Sequence, residues 1–127
     1  MIVYIYGGVS SGKSEYAEDL ISKSFENKIY LATMENTGSY AKQRIQKHLK
    51  QRADKNFITV EEPKYLSNVN ISCADNILLE DLTNLLSNNI FDENGIKSDS
   101  KEITEAIFSD IIELEKRCNS LFIVGND

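Results

Sequence analysis

Residues 7–14 of this chain are Gly7-Gly8-Val9-Ser10-Ser11-Gly12-Lys13-Ser14, which fits the phosphate-binding pattern G-x-x-x-x-G-K-[ST]. The apolar run at residues 1–6 predicts a buried strand before this stretch, and residues 15–21 predict a helix after it. A glycine-rich turn between a strand and a helix directs backbone N–H groups, and the positive end of the helix dipole, at a phosphate. The three parts together predict a phosphate-binding loop, whereas the motif alone would also fit an ordinary glycine-rich turn.

The two polar side chains that close the loop have different expected roles. The Lys13 ammonium can reach the β- and γ-phosphates of a nucleotide, and the Ser14 hydroxyl can ligate Mg²⁺. Contacts with the phosphates are expected along the whole loop, at Gly7, Gly8, Val9, Ser10, Ser11, Gly12, Lys13 and Ser14.

Length and charge restrict the classes of protein that the sequence can represent. The chain has 127 residues, which predicts a single domain over residues 1–127. Its net charge of −6 argues against a nucleic-acid partner but not against nucleotide binding, which needs only local N–H groups and one or two cations. Cys73 and Cys118 have no metal-binding spacing and predict reduced thiols. The sequence predicts neither a signal peptide nor a membrane span, so we expect a cytoplasmic protein.

Predicted strands alternate with predicted helices along the chain. Strands are expected at residues 1–6, 28–33, 57–60, 76–81 and 120–124, and helices at 15–21, 40–53 and 103–117. A further helix is expected to begin at 82–86, and a turn is expected at 92–95, in a polar connection that runs to about residue 100. This alternation predicts an α/β fold in three layers, a phosphate-loop NTPase of the RecA-like kind, with a mostly parallel sheet flanked by helices. Ligands of such sheets bind beyond the carboxyl ends of the strands.

Two acidic side chains are predicted at those carboxyl ends. Glu80 closes an apolar strand and could hold Mg²⁺ directly or through water, although its neighbour Asp81 could do so instead, or neither acid could have a role. Glu61 could accept hydrogen bonds from a ribose or a guanine edge, or could be a solvated loop acid.

The only histidine of the chain lies in the helix predicted at residues 40–53. His48 is four residues from both Arg44 and Arg52, so all three share one helix face. Two guanidinium groups disfavour the charged imidazole and attract a triphosphate. A neutral imidazole in that position could attack phosphorus and form a phosphoramidate. A solvent-facing histidine in a polar helix would give the same pattern.

Motifs spread over nearly the whole chain occur together in one enzyme family. They are the phosphate loop, Tyr30-Leu31-Ala32-Thr33, Arg44-Ile45-x-x-His48-x-x-x-Arg52, Thr59-x-Glu61 with Pro63, Glu80 before Leu82-Thr83 and Leu86-Ser87-Asn88, and Val124-x-Asn126-Asp127. The set resembles the bifunctional adenosylcobinamide kinase/adenosylcobinamide-phosphate guanylyltransferase family of cobalamin biosynthesis. The phosphate loop is generic, but its combination with Arg-Ile-x-x-His is specific.

The resemblance implies two reactions, with GTP, ATP and Mg²⁺ as cofactors and nucleotides and corrinoids as partners. A triphosphate would phosphorylate adenosylcobinamide, and GTP would then guanylylate His48, which passes GMP to the cobinamide phosphate. Lys13 is expected to assist catalysis, and Ser14 and Glu80 are expected to hold the metal. Beyond the phosphate loop, the residues expected to bind nucleotide are Ala32, Thr33, Met34, Leu49, Lys50, Gln51, Arg52, Glu61 and Glu80.

Three departures from the family pattern are visible in the sequence. Ser10 replaces an arginine of the loop, and Ser39-Tyr40-Ala41 replaces an acidic entry to the histidine helix. The family also continues beyond the point that corresponds to Asp127. We therefore expect a homo-oligomer, a homotrimer by resemblance, with an apolar surface covered by another chain.

Two alternatives to the kinase and guanylyltransferase function are a non-catalytic nucleotide-binding protein of this family and another small-molecule kinase of the same fold.

Overall fold

Strands and helices alternate along the chain, as the hydrophobic pattern predicts. The computed structural model describes residues 1–8, 12–24, 26–34, 43, 46, 50 and 55–126. Within these ranges the main sheet contains β1 (Ile2–Gly7), β2 (Lys28–Ala32), β3 (Ile58–Glu61), β4 (Asn76–Glu80) and β7 (Ser120–Asn126). The helices are α1 (Lys13–Ser24), α2 (Leu82–Ile90) and α3 (Ser100–Arg117), and the chain also forms a 3₁₀ turn at Leu66–Asn68 and a small hairpin of β5 (Phe91–Asp92) and β6 (Gly95–Ile96).

All neighbouring strands of the main sheet are parallel, in the order β1-β7-β4-β2-β3. The register pairs Ala32 with both Glu61 and Glu80, and it pairs Gly7 with Asn126. The carboxyl ends of the five strands therefore meet along one edge of the sheet. The described ends of the phosphate-loop motif, at Gly7 and Lys13, and both predicted strand-end acids lie at this edge, where parallel sheets bind their ligands.

The predicted α/β fold with a mostly parallel sheet is confirmed. Each predicted strand forms within two residues of its expected ends, and the last one, β7, is interior to the sheet and buried as expected. The turn predicted at residues 92–95 lies in the β5–β6 hairpin, in which Asp92 pairs with Gly95, whereas the two short strands themselves were not predicted. Most of the helix predicted at 40–53 lies outside the described residues, although Gln43, Gln46 and Lys50 are helical and exposed.

The two faces of the sheet are covered by different helices, because side chains alternate across each strand. Helices α2 and α3 cover the face that we call the apolar face, whose buried cluster is formed by leucine, isoleucine and valine with one cysteine, including Leu31, Leu79, Leu114 and Leu121. Helix α1 covers the opposite face, the α1 face, whose cluster is Ala17, Ile21, Tyr30, Leu78, Phe122 and Val124. Burial of these side chains is the main favourable contribution to folding.

Strand β1 is an edge strand with large exposed side chains. Ile2, Tyr4 and Tyr6 are 45–62% exposed. Together with Phe108 and Ile112 of α3, the first two of these side chains line an apolar groove of about 390 Å³ on the apolar face. Exposed apolar surface beside an edge strand is the kind of surface that the expected oligomer would bury. The oligomer itself stays a prediction.

Neither cysteine pairs with the other. Cys73 is exposed and Cys118 is buried. Burial, together with the nearby Glu115 carboxylate, raises the pKa of the Cys118 thiol. Over the part of the chain that the structure describes, we find no helix with the length and apolar character needed to cross a membrane.

Candidate nucleotide-binding site

The structure places the described ends of the phosphate loop between β1 and α1. Strand β1 ends at Gly7 and α1 begins at Lys13, while residues 9–11 lie outside the described residues. Gly12 has φ +84°, a backbone conformation that glycine adopts without steric cost. Its carbonyl accepts a hydrogen bond of 3.0 Å from the Tyr16 N–H, and this bond closes the first turn of α1. The strand and the helix that the sequence predicts on either side of the motif are therefore present.

The Lys13 side chain folds back over the loop. Its Nζ donates a hydrogen bond of 2.9 Å to the Gly8 carbonyl oxygen. This contact holds the ammonium group beside the N-terminal end of α1, where the helix dipole also favours an anion. Positive charge from both sources is thus concentrated at the mouth of the loop.

The Ser14 hydroxyl is buried and has no hydrogen-bond partner among the described residues. Buried polar atoms are normally hydrogen-bonded, so a hydroxyl of this kind calls for an explanation. Its position in the first turn of α1 is the position at which a phosphate loop ligates Mg²⁺.

The Glu80 carboxylate lies at the carboxyl end of β4 on the α1 face. Its Oε2 accepts a hydrogen bond from the Tyr30 hydroxyl, and Tyr30 belongs to the buried cluster beneath α1. The main chain is fixed as well, because the Thr33 N–H donates to the Glu80 carbonyl oxygen at 3.0 Å. Helix α1 packs on β4, and both the first turn of α1 and Glu80 lie at the carboxyl-end edge of the sheet.

Asp81, the alternative metal ligand, has a structural task on the apolar face. Its Oδ1 accepts a hydrogen bond of 2.6 Å from the Asn84 N–H and thereby caps α2. The Thr33 hydroxyl accepts from the Asp81 N–H and donates to the Asp81 carbonyl oxygen, both at 2.8 Å. Of the two neighbouring acids, Glu80 is the one whose side chain lies on the α1 face of the sheet.

Thr33 and the predicted acid Glu61 lie on the far side of Glu80 from the phosphate loop. The Thr33 carbonyl accepts a hydrogen bond of 2.7 Å from the Asn88 side chain, which also donates to the Pro63 carbonyl at 2.8 Å. Asn88 thus connects α2 with the ends of β2 and β3. Glu61 is exposed beside Ala32, so its carboxylate is accessible to a ligand.

The remaining predicted site residues fall into two groups. Lys50 is exposed and helical, and Met34 is partly buried just beyond β2. The others lie outside the described residues, and the structure says nothing of their placement: Val9, Ser10, Ser11, Arg44, His48, Leu49, Gln51 and Arg52.

An ion pair beside α1 was not predicted from the sequence. Lys55 Nζ lies 2.9 Å from Asp19 Oδ1 and 4.0 Å from the fully buried Glu18 side chain. The hydrogen bond from Lys55 lowers the pKa of the Asp19 carboxyl. The pair joins α1 to the chain segment immediately before β3, and residues 36 positions apart give no local sequence signal for such a contact.

The side-chain oxygens of Ser14 and Glu80 are of the donor type that Mg²⁺ takes. Among the described residues there is no group of three His, Cys, Asp or Glu side chains that could hold a metal ion. Magnesium nevertheless needs only one or two protein ligands when phosphates and waters complete its octahedron. The buried Ser14 hydroxyl and the Glu80 carboxylate supply ligands of the required oxygen type.

Comparisons with known proteins point to one family. The family model described as CobU, cobinamide kinase / cobinamide phosphate guanyltransferase, matches residues 3–127. The bifunctional adenosylcobalamin biosynthesis protein CobU of Escherichia coli (strain K12) is 31% identical over 125 residues, which cover 93% of this chain and 68% of the relative.

Proposed function

The chain belongs to the cobinamide kinase / cobinamide phosphate guanyltransferase family, and from this membership we propose that it binds ATP or GTP at its phosphate loop and modifies a corrinoid. The observation that carries the proposal is the start of α1. There the Lys13 ammonium is held over the Gly8 carbonyl, and the Ser14 hydroxyl is buried without a partner among the described residues. A triphosphate with Mg²⁺ would engage both groups.

In the proposed kinase step, the terminal phosphoryl group of a triphosphate moves to the hydroxyl of adenosylcobinamide. Lys13 and the N–H groups at the start of α1 bind and orient the phosphates, and they stabilise the charge that spreads over the phosphoryl oxygens. Ser14 and Glu80 would hold Mg²⁺, which when bound neutralises phosphate charge and orients the transferred group.

In the proposed guanylyl transfer, an imidazole nitrogen of His48 attacks the α-phosphorus of GTP. A P–N bond forms and pyrophosphate leaves. An oxygen of the cobinamide phosphate then attacks the same phosphorus, so that a P–O bond replaces the P–N bond and His48 is regenerated. Because His48 lies outside the described residues, this step is supported by the Arg44-Ile45-x-x-His48 motif and by family membership.

A labelling experiment tests the histidine step directly. After incubation with GTP labelled at the α-phosphorus, we expect a protein-bound label that is stable to base and lost in acid, as a phosphoramidate is. His48→Ala should carry no label, and Gln43→Ala, at an exposed helical position of the same segment, should be labelled like the wild type.

The other outcomes separate the alternatives. Label on His48→Ala would place the nucleophile elsewhere. GTP binding without label, combined with transfer of the γ-phosphoryl group to a corrinoid or another alcohol, would indicate a small-molecule kinase. GTP binding with neither activity would indicate a non-catalytic nucleotide-binding protein.

A further inference from the structure

Strand β2 holds both the main chain and the side chain of Glu80. Strand β2 is in register with β4, where Ala32 pairs with Glu80, and the Thr33 N–H donates to the Glu80 carbonyl oxygen at 3.0 Å. From the same strand, the Tyr30 hydroxyl donates a hydrogen bond to Glu80 Oε2. The position of the carboxylate therefore depends on a side chain that no expectation above assigned to the site.

The Tyr30 ring is itself held in place. It is only 3% exposed and packs in the α1-face cluster with Ala17 and Leu78. The ring also makes an edge-to-face contact with Phe57, with ring centroids 6.3 Å apart and an interplanar angle of 84°. A tyrosine has two side-chain torsions, and both are restricted when the ring is packed on several sides. The hydroxyl is thus a pre-oriented donor to Glu80.

We propose that Tyr30 is a positioning residue, which orients the Glu80 carboxylate for the Mg²⁺ that accompanies a bound nucleotide. The inference rests on the proposed function, because it requires triphosphate and metal at the start of α1. A hydrogen bond to a metal-ligating carboxylate fixes its orientation, and losing such a partner typically lowers metal affinity 10–100-fold. Tyr30 acts through Glu80 and needs no contact with the nucleotide.

The substitution Tyr30→Phe removes the hydroxyl and keeps the buried ring. We expect the affinity for GTP in excess EDTA to be unchanged, because Lys13 and the α1 amides bind phosphate without the metal. The Mg²⁺ concentration that half-saturates the increase in GTP affinity should rise about ten- to a hundredfold. Both quantities can be measured by titration calorimetry on the wild type and the variant.

Two further variants make the result specific. Tyr65→Phe removes the hydroxyl of a tyrosine that is 55% exposed and lies after β3, and it should leave the Mg²⁺ dependence unchanged. Phe57→Leu keeps the Tyr30 hydroxyl but removes the edge-to-face contact that restrains its ring. It should shift the Mg²⁺ dependence in the same direction as Tyr30→Phe by a smaller factor, and it provides a second measurement if Tyr30→Phe folds poorly.

Measuring the effect of Tyr30→Phe in a protein that also carries Glu80→Gln distinguishes positioning of the Glu80 carboxylate from a general effect on the fold. If Tyr30 acts through the carboxylate, Tyr30→Phe should cause no additional shift when Glu80 is already glutamine. An equal shift in both backgrounds, or a wild-type Mg²⁺ dependence in Tyr30→Phe, would overturn the proposal. Failure of the wild type to bind GTP in EDTA and in Mg²⁺ would instead overturn the proposed function, and this outcome is seen before any variant is compared.

Discussion

The two faces of the sheet bury different kinds of side chain. On the apolar face, α2 and α3 enclose a cluster of aliphatic side chains that includes Leu79 and Leu114. On the α1 face, a smaller cluster shares its space with the Tyr30 hydroxyl, the buried Glu18 side chain and the buried Ser14 hydroxyl. Buried polar groups are costly unless they have partners, whereas aliphatic burial is favourable throughout. The apolar face therefore buries mainly aliphatic side chains, whereas the α1 face buries polar groups beside its apolar cluster.

The largest effect that this comparison predicts is on the apolar face. Leu114 of α3 is fully buried, so Leu114→Ala should lower the free energy of unfolding by about 2–5 kcal/mol. Ile112→Ala, on the same helix at a side chain that is 51% exposed, should cost much less. Urea unfolding measures both values. GTP affinity of the folded variants should match the wild type, and a large loss of affinity in Leu114→Ala would show that the two faces are coupled.

A smaller effect is expected where the two faces meet, at the end of β4. Asp81→Ala removes the side-chain cap of α2 and should cost about 0.5–2 kcal/mol of stability, whereas Asp81→Asn keeps a capping oxygen and should be nearly neutral. Neither variant should change the Mg²⁺ dependence of GTP binding. If Asp81→Asn abolished that dependence while Glu80→Gln preserved it, Asp81 would be the metal ligand and the assignment to Glu80 would be wrong.

The smallest expected effect is a pH dependence of the stability of the fold, caused by the ion pair beside α1. Lys55 lowers the pKa of Asp19 in the folded chain, so this carboxylate stabilises the fold above its unfolded pKa of about 3.9. The contribution is lost as the pH falls below that value through the folded pKa. Asp19→Asn should therefore lower the melting temperature slightly at pH 6 and by less at pH 2.

The matched control for that measurement is Glu113→Gln, which removes an exposed ion pair with Lys116 on α3. Both members of that pair are more than 60% exposed, so little change is expected at either pH. A melting temperature of Asp19→Asn that equals the wild type at pH 6 as well as at pH 2 would show that the Lys55 contact contributes nothing measurable.

The sequence was sufficient to predict the strands of the main sheet and the edge of that sheet where the candidate site lies. Alternating apolar runs predict the strands, and parallel strands bring their carboxyl ends together, so Gly7, Thr33, Glu61 and Glu80 could be assigned to one edge. These predictions depend on local patterns and on a general rule of α/β sheets, which is why no tertiary information was needed.

The contacts that shape the site could not be predicted in the same way. Tyr30 and Glu80 are 50 residues apart, and Asn88 and Thr33 are 55 apart, so their hydrogen bonds depend on the strand order β1-β7-β4-β2-β3. Nothing in the hydrophobic pattern specifies that order. The distinction between Glu80 and Asp81 depends on which face each side chain occupies, and the sequence left it open. The roles of His48 and the two arginines stay predictions.

Binding of nucleotide phosphates at the start of α1 can be tested by calorimetric titration of GTP into Lys13→Ala. Loss of a charge-assisted contact worth about 1.5–3 kcal/mol should weaken GTP binding roughly ten- to a hundredfold. Lys23→Ala, which removes an ammonium from the last turn of the same helix, should bind GTP like the wild type. An unchanged affinity in Lys13→Ala, with the fold intact, would contradict phosphate binding at the start of α1.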